Sequence, residues 1–353
     1  MKGSYEVIVQ NRRLQYKFTI SRNITILRGD SATGKTTLIE MIHAYQLNGE
    51  QSGINISCKK KCVTLEGNEW QLLLNQINDS IVFIDEGNSF VYSQDFTEAV
   101  NNSSNYYVIA VRNNLFNLPY SITEIYGIEN VSGNKYQGTK RLYSRLYNLY
   151  EKNSPIAKKP ELVVVEDAKS GYEFFKHVCE NFSIPCVSAM GKSKISAKVL
   201  ESPADNILVI ADGAAFGSEI ESLVQLRYSK NIGIYLPESF EWLILNSGLI
   251  KDGDINKILE NPSDYIDSQK YFSWEVFFTD LLMKSAKGTY LEYSRRWTDC
   301  LYTFKSEEFE IIKSLSHEYP VKTFCDAAKY KYYDMDDVIE KAMKDFESNE
   351  GAE

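Results

Sequence analysis

Asn23-Ile-Thr-Ile-Leu-Arg-Gly-Asp-Ser-Ala-Thr-Gly-Lys-Thr-Thr-Leu38 is the stretch that decides the fold of the first half of this chain. Its residues 29–36 match G-x-x-x-x-G-K-[ST] in full. The spacing has a physical cause. Glycines let the backbone curl so that successive N–H groups point inward at a phosphate chain. Lys35 then reaches the β- and γ-phosphates, and Thr36 offers a hydroxyl to Mg²⁺. The dipole of a helix opening near Lys35 adds positive potential at the same place. Asn23–Arg28 alternates like a strand, and Leu38, Met41, Ile42 and Tyr45 follow at helical spacing. Strand, loop, helix is the order the mechanism needs, so Gly29, Asp30, Ser31, Ala32, Thr33, Gly34, Lys35, Thr36 and Thr37 are the expected nucleotide-binding residues. The competing reading is a chance glycine turn.

Working outward, Ser80-Ile-Val-Phe-Ile-Asp-Glu86 reads as a buried strand ending in two carboxylates. Asp85 is expected to hold Mg²⁺, with Thr36, and Glu86 to orient or deprotonate the attacking water. Tyr106–Val111 is a further strand and ends in Arg112-Asn-Asn114. Parallel sheets place ligands at the carboxyl ends of strands, so Arg112 is a candidate sensor of the γ-phosphate; the alternative is an ordinary charge at a strand end. Tyr5–Val9 with Tyr16–Ile20, and Ile54–Ser57 with Cys62–Leu65, look like hairpins, the second turning at Lys59-Lys-Lys61. Trp70–Ile77 is expected to be helical.

Phe18-Thr-Ile, the run from Asn23 to Leu38, and Asp85-Glu86 together resemble the nucleotide-binding core of ABC-type ATPases, including that of OLD-family nucleases. The resemblance covers residues 1 to about 130. It implies ATP and Mg²⁺ as ligands and ATP hydrolysis as the activity. The sequence departs from that family in having no LSGGQ-like signature between the two motifs, and in having Arg112 where the switch histidine would follow. A composite site completed by a partner's signature loop is therefore not implied, and oligomerisation stays open.

Glu151–Pro160, with two prolines and three cations, breaks the periodicity and reads as a linker, so residues 1–150 form the first domain. Beyond it, Glu161–Val165, Ile184–Ser188, Asn206–Ala211 and Ile232–Leu236 read as strands alternating with helices, which predicts a parallel sheet over residues 161–240. Two of these strands end in acids, at Glu166-Asp167 and at Asp212. Glu166 and Asp212 are thus candidates to share a divalent cation. The competing reading makes all of them helix-capping acids. The arrangement resembles the Toprim domain of primases, topoisomerases and OLD-family nucleases. That pattern has a Glu after the first strand and Asp-x-Asp after the third; Glu166, Asp212, Gly213 and Gly217 match it. Ala214 stands in place of the second Asp. The resemblance implies Mg²⁺-dependent chemistry on DNA or RNA, and Ala214 implies a weakened or degenerate site. Asp167, Glu219 and Glu221 are the acids near enough in sequence to compensate, and Lys192 or Lys194 the cations near enough to meet a phosphate.

Residues 241–353 are rich in aromatics and are expected to be helical, with Arg295-Arg296 lying between aromatics on a helix face. The expected architecture is α/β: a P-loop NTPase domain, a Toprim-like parallel α/β domain and a helical C-terminal region.

Bulk properties narrow the function classes. The 353 residues carry a net charge of −9. Residues 1–153 hold 16 basic and 14 acidic side chains, and the remainder 23 and 34. The acidic second half fits a protein partner better than a broad nucleic-acid surface. The final twenty residues carry eight acids against two lysines and read as frayed or as a partner contact. No run has the length of a membrane span, and no signal-peptide pattern is present, which predicts a cytoplasmic protein. Cys58-x-x-x-Cys62 is the only close cysteine pair, and it reads as chance spacing rather than half a zinc site. Two functions are expected from these features. One is an ATPase that drives or gates nucleic-acid processing, or defence against phage and mobile elements. The other is an ATP switch whose inactive Toprim-like half meets a protein partner. A small-molecule kinase fits less well, because no acceptor pocket or lid arginines can be picked out.

Overall fold

The computed structural model describes residues 1–29, 34–131, 142–150, 160–181, 183–247, 250, 253–288, 293–296 and 301–304. Asp30, Ser31, Ala32 and Thr33, the linker residues 151–159, Trp297 and the acidic tail fall outside them. The chain divides into two compact units, Met1–Tyr150 with Asn261–Ser273, and Glu151–Glu260 with Trp274–Glu353.

The first unit is built on a sheet of nine strands: β1 (Tyr5–Gln10), β2 (Leu14–Ile20), β3 (Ile24–Leu27), β4 (Asn55–Ser57), β5 (Lys61–Thr64), β6 (Ser80–Ile84), β7 (Tyr106–Ala110), β8 (Ile125–Asn130) and β9 (Leu142–Asn148). Its order is β4-β1-β2-β9-β8-β3-β7-β6-β5. The run β8-β3-β7-β6-β5 is wholly parallel. Every residue of β3, β6 and β7 is buried, as expected of strands covered on both faces. Helix α1 (Lys35–Asn48) covers one face. Its Leu38, Ile39, Met41 and Ile42 pack with Val7, Phe18, Ile81, Phe83 and Val108. On the other face Phe96, from α3 (Gln94–Asn101), meets Tyr107 edge-on at 6.0 Å and Trp70, from α2 (Trp70–Leu74), at 5.6 Å.

β4 and β5 are not the hairpin that the sequence predicts. They lie at opposite ends of the sheet order yet are joined by only Cys58, Lys59 and Lys60. Four residue steps reach about 14 Å at most, whereas nine flat strands would span about 38 Å. The sheet therefore curls until its two edges meet, and α1 packs against both β4 and β5 at that seam. β1 and β2 do pair antiparallel, from Tyr5↔Ile20 to Gln10↔Gln15.

The second unit holds a four-stranded, fully parallel sheet of β10 (Leu162–Val165), β11 (Cys186–Ser188), β12 (Asn206–Ile210) and β13 (Asn231–Tyr235) in the order β11-β10-β12-β13. The alternating helices are α4 (Ser170–Asn181), α5 (Ile195–Glu201) and α6 (Ile220–Leu226), and α7 (Phe240–Asn246) follows β13. α7 is fixed by Phe240, whose ring lies 5.7 Å from Phe174 and 6.4 Å from Phe175. α8 (Ile255–Glu260) and α9 (Trp274–Ser285) complete the described helices.

Residues 241–353 depart from the expected helical region in two ways. Asn261–Ser273 packs with the first unit, where Ser263 accepts from Gly3 N–H at 2.7 Å and Phe272 O accepts from Asn23 Nδ2 at 2.6 Å. Arg295 and Arg296 lie on a strand, not a helix. β14 (Tyr293–Arg296) pairs antiparallel with β15 (Leu301–Phe304). Among the described residues no helix is long and apolar enough to cross a membrane.

Candidate functional sites: a phosphate loop and a buried carboxylate cluster

The first site is assembled at the carboxyl ends of β3, β7 and β6. Gly29 and Gly34 both have positive φ, 130° and 96°. A Cβ on Gly34 would lie 2.9 Å from Tyr16 Oη, and that hydroxyl donates to Gly34 O at 3.1 Å. Glycine is thus required at the loop's end both for conformation and for space. Lys35 opens α1, is only 5% exposed, and its Nζ donates to Gly29 O at 2.6 Å. The lysine spans the mouth of the loop from one glycine to the other. Thr36 is exposed on the first turn of α1, and Thr37 is half-buried.

β7 lies between β3 and β6, so the acids at the end of β6 stand about 10 Å across the sheet from the loop. Asp85 and Glu86 are half-buried, and Asp85 Oδ1 accepts from Glu86 N–H at 2.9 Å. The intervening strand delivers Arg112, which grips Glu86 with two bonds, Nη2 to Oε1 at 2.7 Å and Nε to Oε2 at 3.2 Å. Arg112's hydrogen bonds hold the Glu86 carboxyl below its ordinary range; burial opposes this, and the charges of Arg112 and Lys35 add to it. Arg112 therefore meets the acid of the neighbouring strand and orients its carboxylate. Asn114, from the same loop, receives Arg28 Nη2, which anchors that loop to the residue preceding Gly29. Thr36 and Asp85 are oxygen donors at the same end of the sheet, of the type a hard cation takes.

The second site lies where β10 and β12 run side by side. The chain crosses from β10 outward to β11 and then returns past β10 to β12, so their carboxyl ends flank the reversal of strand order, where α/β sheets form crevices. Glu166 follows β10 and Asp212 follows β12, and the structure brings them together: Glu166 Oε2 accepts from Asp212 N–H at 3.1 Å. Asp212 Oδ1 also accepts from Phe240 N–H at 3.2 Å, at the start of α7. Asp167 is taken up by its own turn, accepting from Ala168, Lys169 and Gly171 N–H.

Two further acids, missed in the sequence, complete the cluster. Glu241 on α7 accepts from Tyr293 Oη at 2.7 Å, and Glu275 on α9 acts electrostatically on Asp212 and Glu166. Burial is the first cause that raises all four carboxyls, and mutual repulsion adds to it. Glu166, Glu241 and Glu275 are each pushed up to about 7, and Asp212 well above its ordinary range. The Lys192 charge favours the ionised forms of Glu166 and Glu275, while its Nζ donates to Ala215 O at 2.8 Å. Of the acids close in sequence, Glu219 precedes α6 as its N-cap, and its charge reaches Glu166.

These acids do not converge on one point. Among the described residues no group of three His, Cys, Asp or Glu side chains could hold a metal ion. Ala214, where a third carboxylate would stand, is 3% exposed, and its N–H donates to Glu238 O at 3.1 Å. Glu166 and Asp212 alone would leave most positions around a divalent cation to water. The turn itself is tightly fitted. A Cβ on Gly213 would lie 2.6 Å from Leu236 O and 2.9 Å from Pro237 O. Gly213→Ala is therefore expected to destabilise the protein by about 2–4 kcal/mol, measured as a lower urea midpoint for the full chain.

A scan against protein-family models gives no match for this chain, and a sequence search of curated proteins gives none either.

Proposed function

We propose that the protein binds ATP with Mg²⁺ at the loop between β3 and α1 and hydrolyses it, and that its second unit is a Toprim-like scaffold without a metal-dependent nuclease centre. The observation that carries the reading is Lys35 closing the glycine loop while Glu86, oriented by Arg112, stands two strands away at the same end of the sheet. Gly29–Thr37 binds the triphosphate. Thr36 and Asp85 would hold Mg²⁺, which supplies charge neutralisation to the β- and γ-phosphates when bound. Glu86 orients the attacking water and accepts its proton. Arg112 aims the Glu86 carboxylate through its two bonds.

The second unit is read as inactive because Ala214 is a buried methyl and, among the described residues, no three acids are grouped to hold a metal. This favours the ATP switch acting on a protein partner over an ATPase feeding a nuclease. The nuclease reading keeps one support, the pairing of Glu166 with Asp212 at the strand ends. Incubating the full chain with ATP and Mg²⁺ or Mn²⁺, and with single- or double-stranded DNA or RNA, distinguishes them. Phosphate release without strand cleavage is expected. Cleavage that Glu166→Gln abolishes would restore the nuclease reading.

A further inference from the structure

Cys58, the first residue of the link between β4 and β5, and Cys62, in β5, sit at the seam where the two edges of the curled sheet meet. Both sulfurs are held on one residue. Cys58 Sγ accepts from Lys60 N–H at 3.4 Å, and Cys62 Sγ donates to Lys60 O at 3.9 Å. Cys58 is half-buried, whereas Cys62 is 8% exposed and packs in the core that includes Ile39 and Ile42 of α1. Lys60 is itself fixed, with its Nζ paired to Asp79 and lying 5.6 Å from the Tyr5 ring centroid. The spacing read as chance in the sequence thus places an accessible thiol and a sheltered one across a single short turn.

We propose that Cys58 and Cys62 form a reversible dithiol–disulfide pair that is oxidised by hydroperoxides, with Cys58 as the attacking sulfur and Cys62 as the resolving one. The Cys58 thiolate attacks the terminal oxygen of the peroxide. The O–O bond breaks, Cys58 becomes a sulfenic acid, and hydroxide (or alkoxide) leaves and takes up a proton. The Cys62 sulfur then attacks the Cys58 sulfur, forming the S–S bond and expelling water. Two thiols are oxidised and one peroxide is reduced. A small-molecule thiol reverses the change by exchange.

The surroundings divide these roles between the two sulfurs. Interaction with the Cys62 thiol, followed by the N–H groups of Lys60 and Lys59, lowers the Cys58 thiol against the effect of burial, while Cys62 is pushed up. A depressed thiol is the one ionised and reactive at neutral pH. The bond would fasten β4 to β5 at the seam on which α1, the helix opened by Lys35, is packed.

The test treats the full chain with a slight excess of hydrogen peroxide, blocks free thiols with N-ethylmaleimide, and maps the peptides by mass spectrometry. The expected result is a peptide spanning 58–62 that is lighter by two hydrogens, unblocked, and returned to two blocked thiols by dithiothreitol. Cys58→Ser and Cys62→Ala should each abolish it; the first changes one atom at a half-buried position on the edge of the core. In the reduced protein at pH 7, Cys58 should be alkylated at least about tenfold faster than the buried Cys62 and Cys179. Full blocking of both cysteines after oxidation, irreversible sulfonic acid in place of the disulfide, or equal alkylation rates would each overturn the proposal.

Discussion

Glu86→Gln is expected to slow ATP hydrolysis by roughly 100- to 10,000-fold while leaving ATP affinity nearly unchanged. The carboxylate ends the buried strand β6 and is held by two bonds from Arg112. Glutamine keeps the size of the side chain but cannot take a proton from water, and it offers the guanidinium one good acceptor in place of two. The loss should fall on kcat and kcat/KM together, with KM steady, because the water proton is taken only on the way to the transition state. A steady-state phosphate-release assay with a parallel binding titration reads both quantities. An unchanged kcat would move the role of base away from Glu86.

The second large effect concerns the stability of the second unit as pH changes. Glu166, Glu241 and Glu275 stand near 7 in the folded chain, against an ordinary 4.5. Their folded values are raised, so between these limits the native state binds more protons than the unfolded chain does. Stability is then fully present below about 4.5 and is lost as pH rises through about 7. A shift of this size corresponds to about 3 kcal/mol for one group, and the groups share the effect because they repel one another. Hydrogen exchange at Val163–Val165 and Leu208–Ile210, corrected for the intrinsic rate, should show greater protection at pH 6 than at pH 8. Glu275→Gln should raise protection at pH 8 and flatten the trend. Greater protection at pH 8 in the native chain would mean that the acids are ionised and well paired.

How much of this was legible in the residues depends on the reach of each signal. The glycine loop ahead of α1 was readable because its determinants are adjacent: two glycines, a lysine and a helix start within eight positions. Asp85-Glu86 was readable for the same reason, as the polar end of a continuous apolar strand. The partnership of Arg112 with Glu86 was not, because it needs β7 to lie between β3 and β6, and strand order leaves no local trace. The curl that joins β4 to β5 was misread as a hairpin, since three polar residues between two short strands look alike in both cases. In the second unit, Glu166 and Asp212 were found from the ends of β10 and β12. Glu241 and Glu275 were not, since each begins a helix that returns to the sheet from later in the chain. The one local sign was an acid in the first turn of an apolar helix, which ordinary favourable interaction with the helix dipole explains equally well.

The central claim is that the loop closed by Lys35 is an ATP site. Isothermal titration of ATP with Mg²⁺ into the full chain, and into Lys35→Ala, tests it most directly. Saturable one-site binding is expected for the native chain, with a loss of affinity of at least about 100-fold in the variant. That loss corresponds to about 2.7 kcal/mol, the scale of a charged phosphate contact removed from a buried setting. No binding to the native chain, or equal binding to both proteins, would contradict the account.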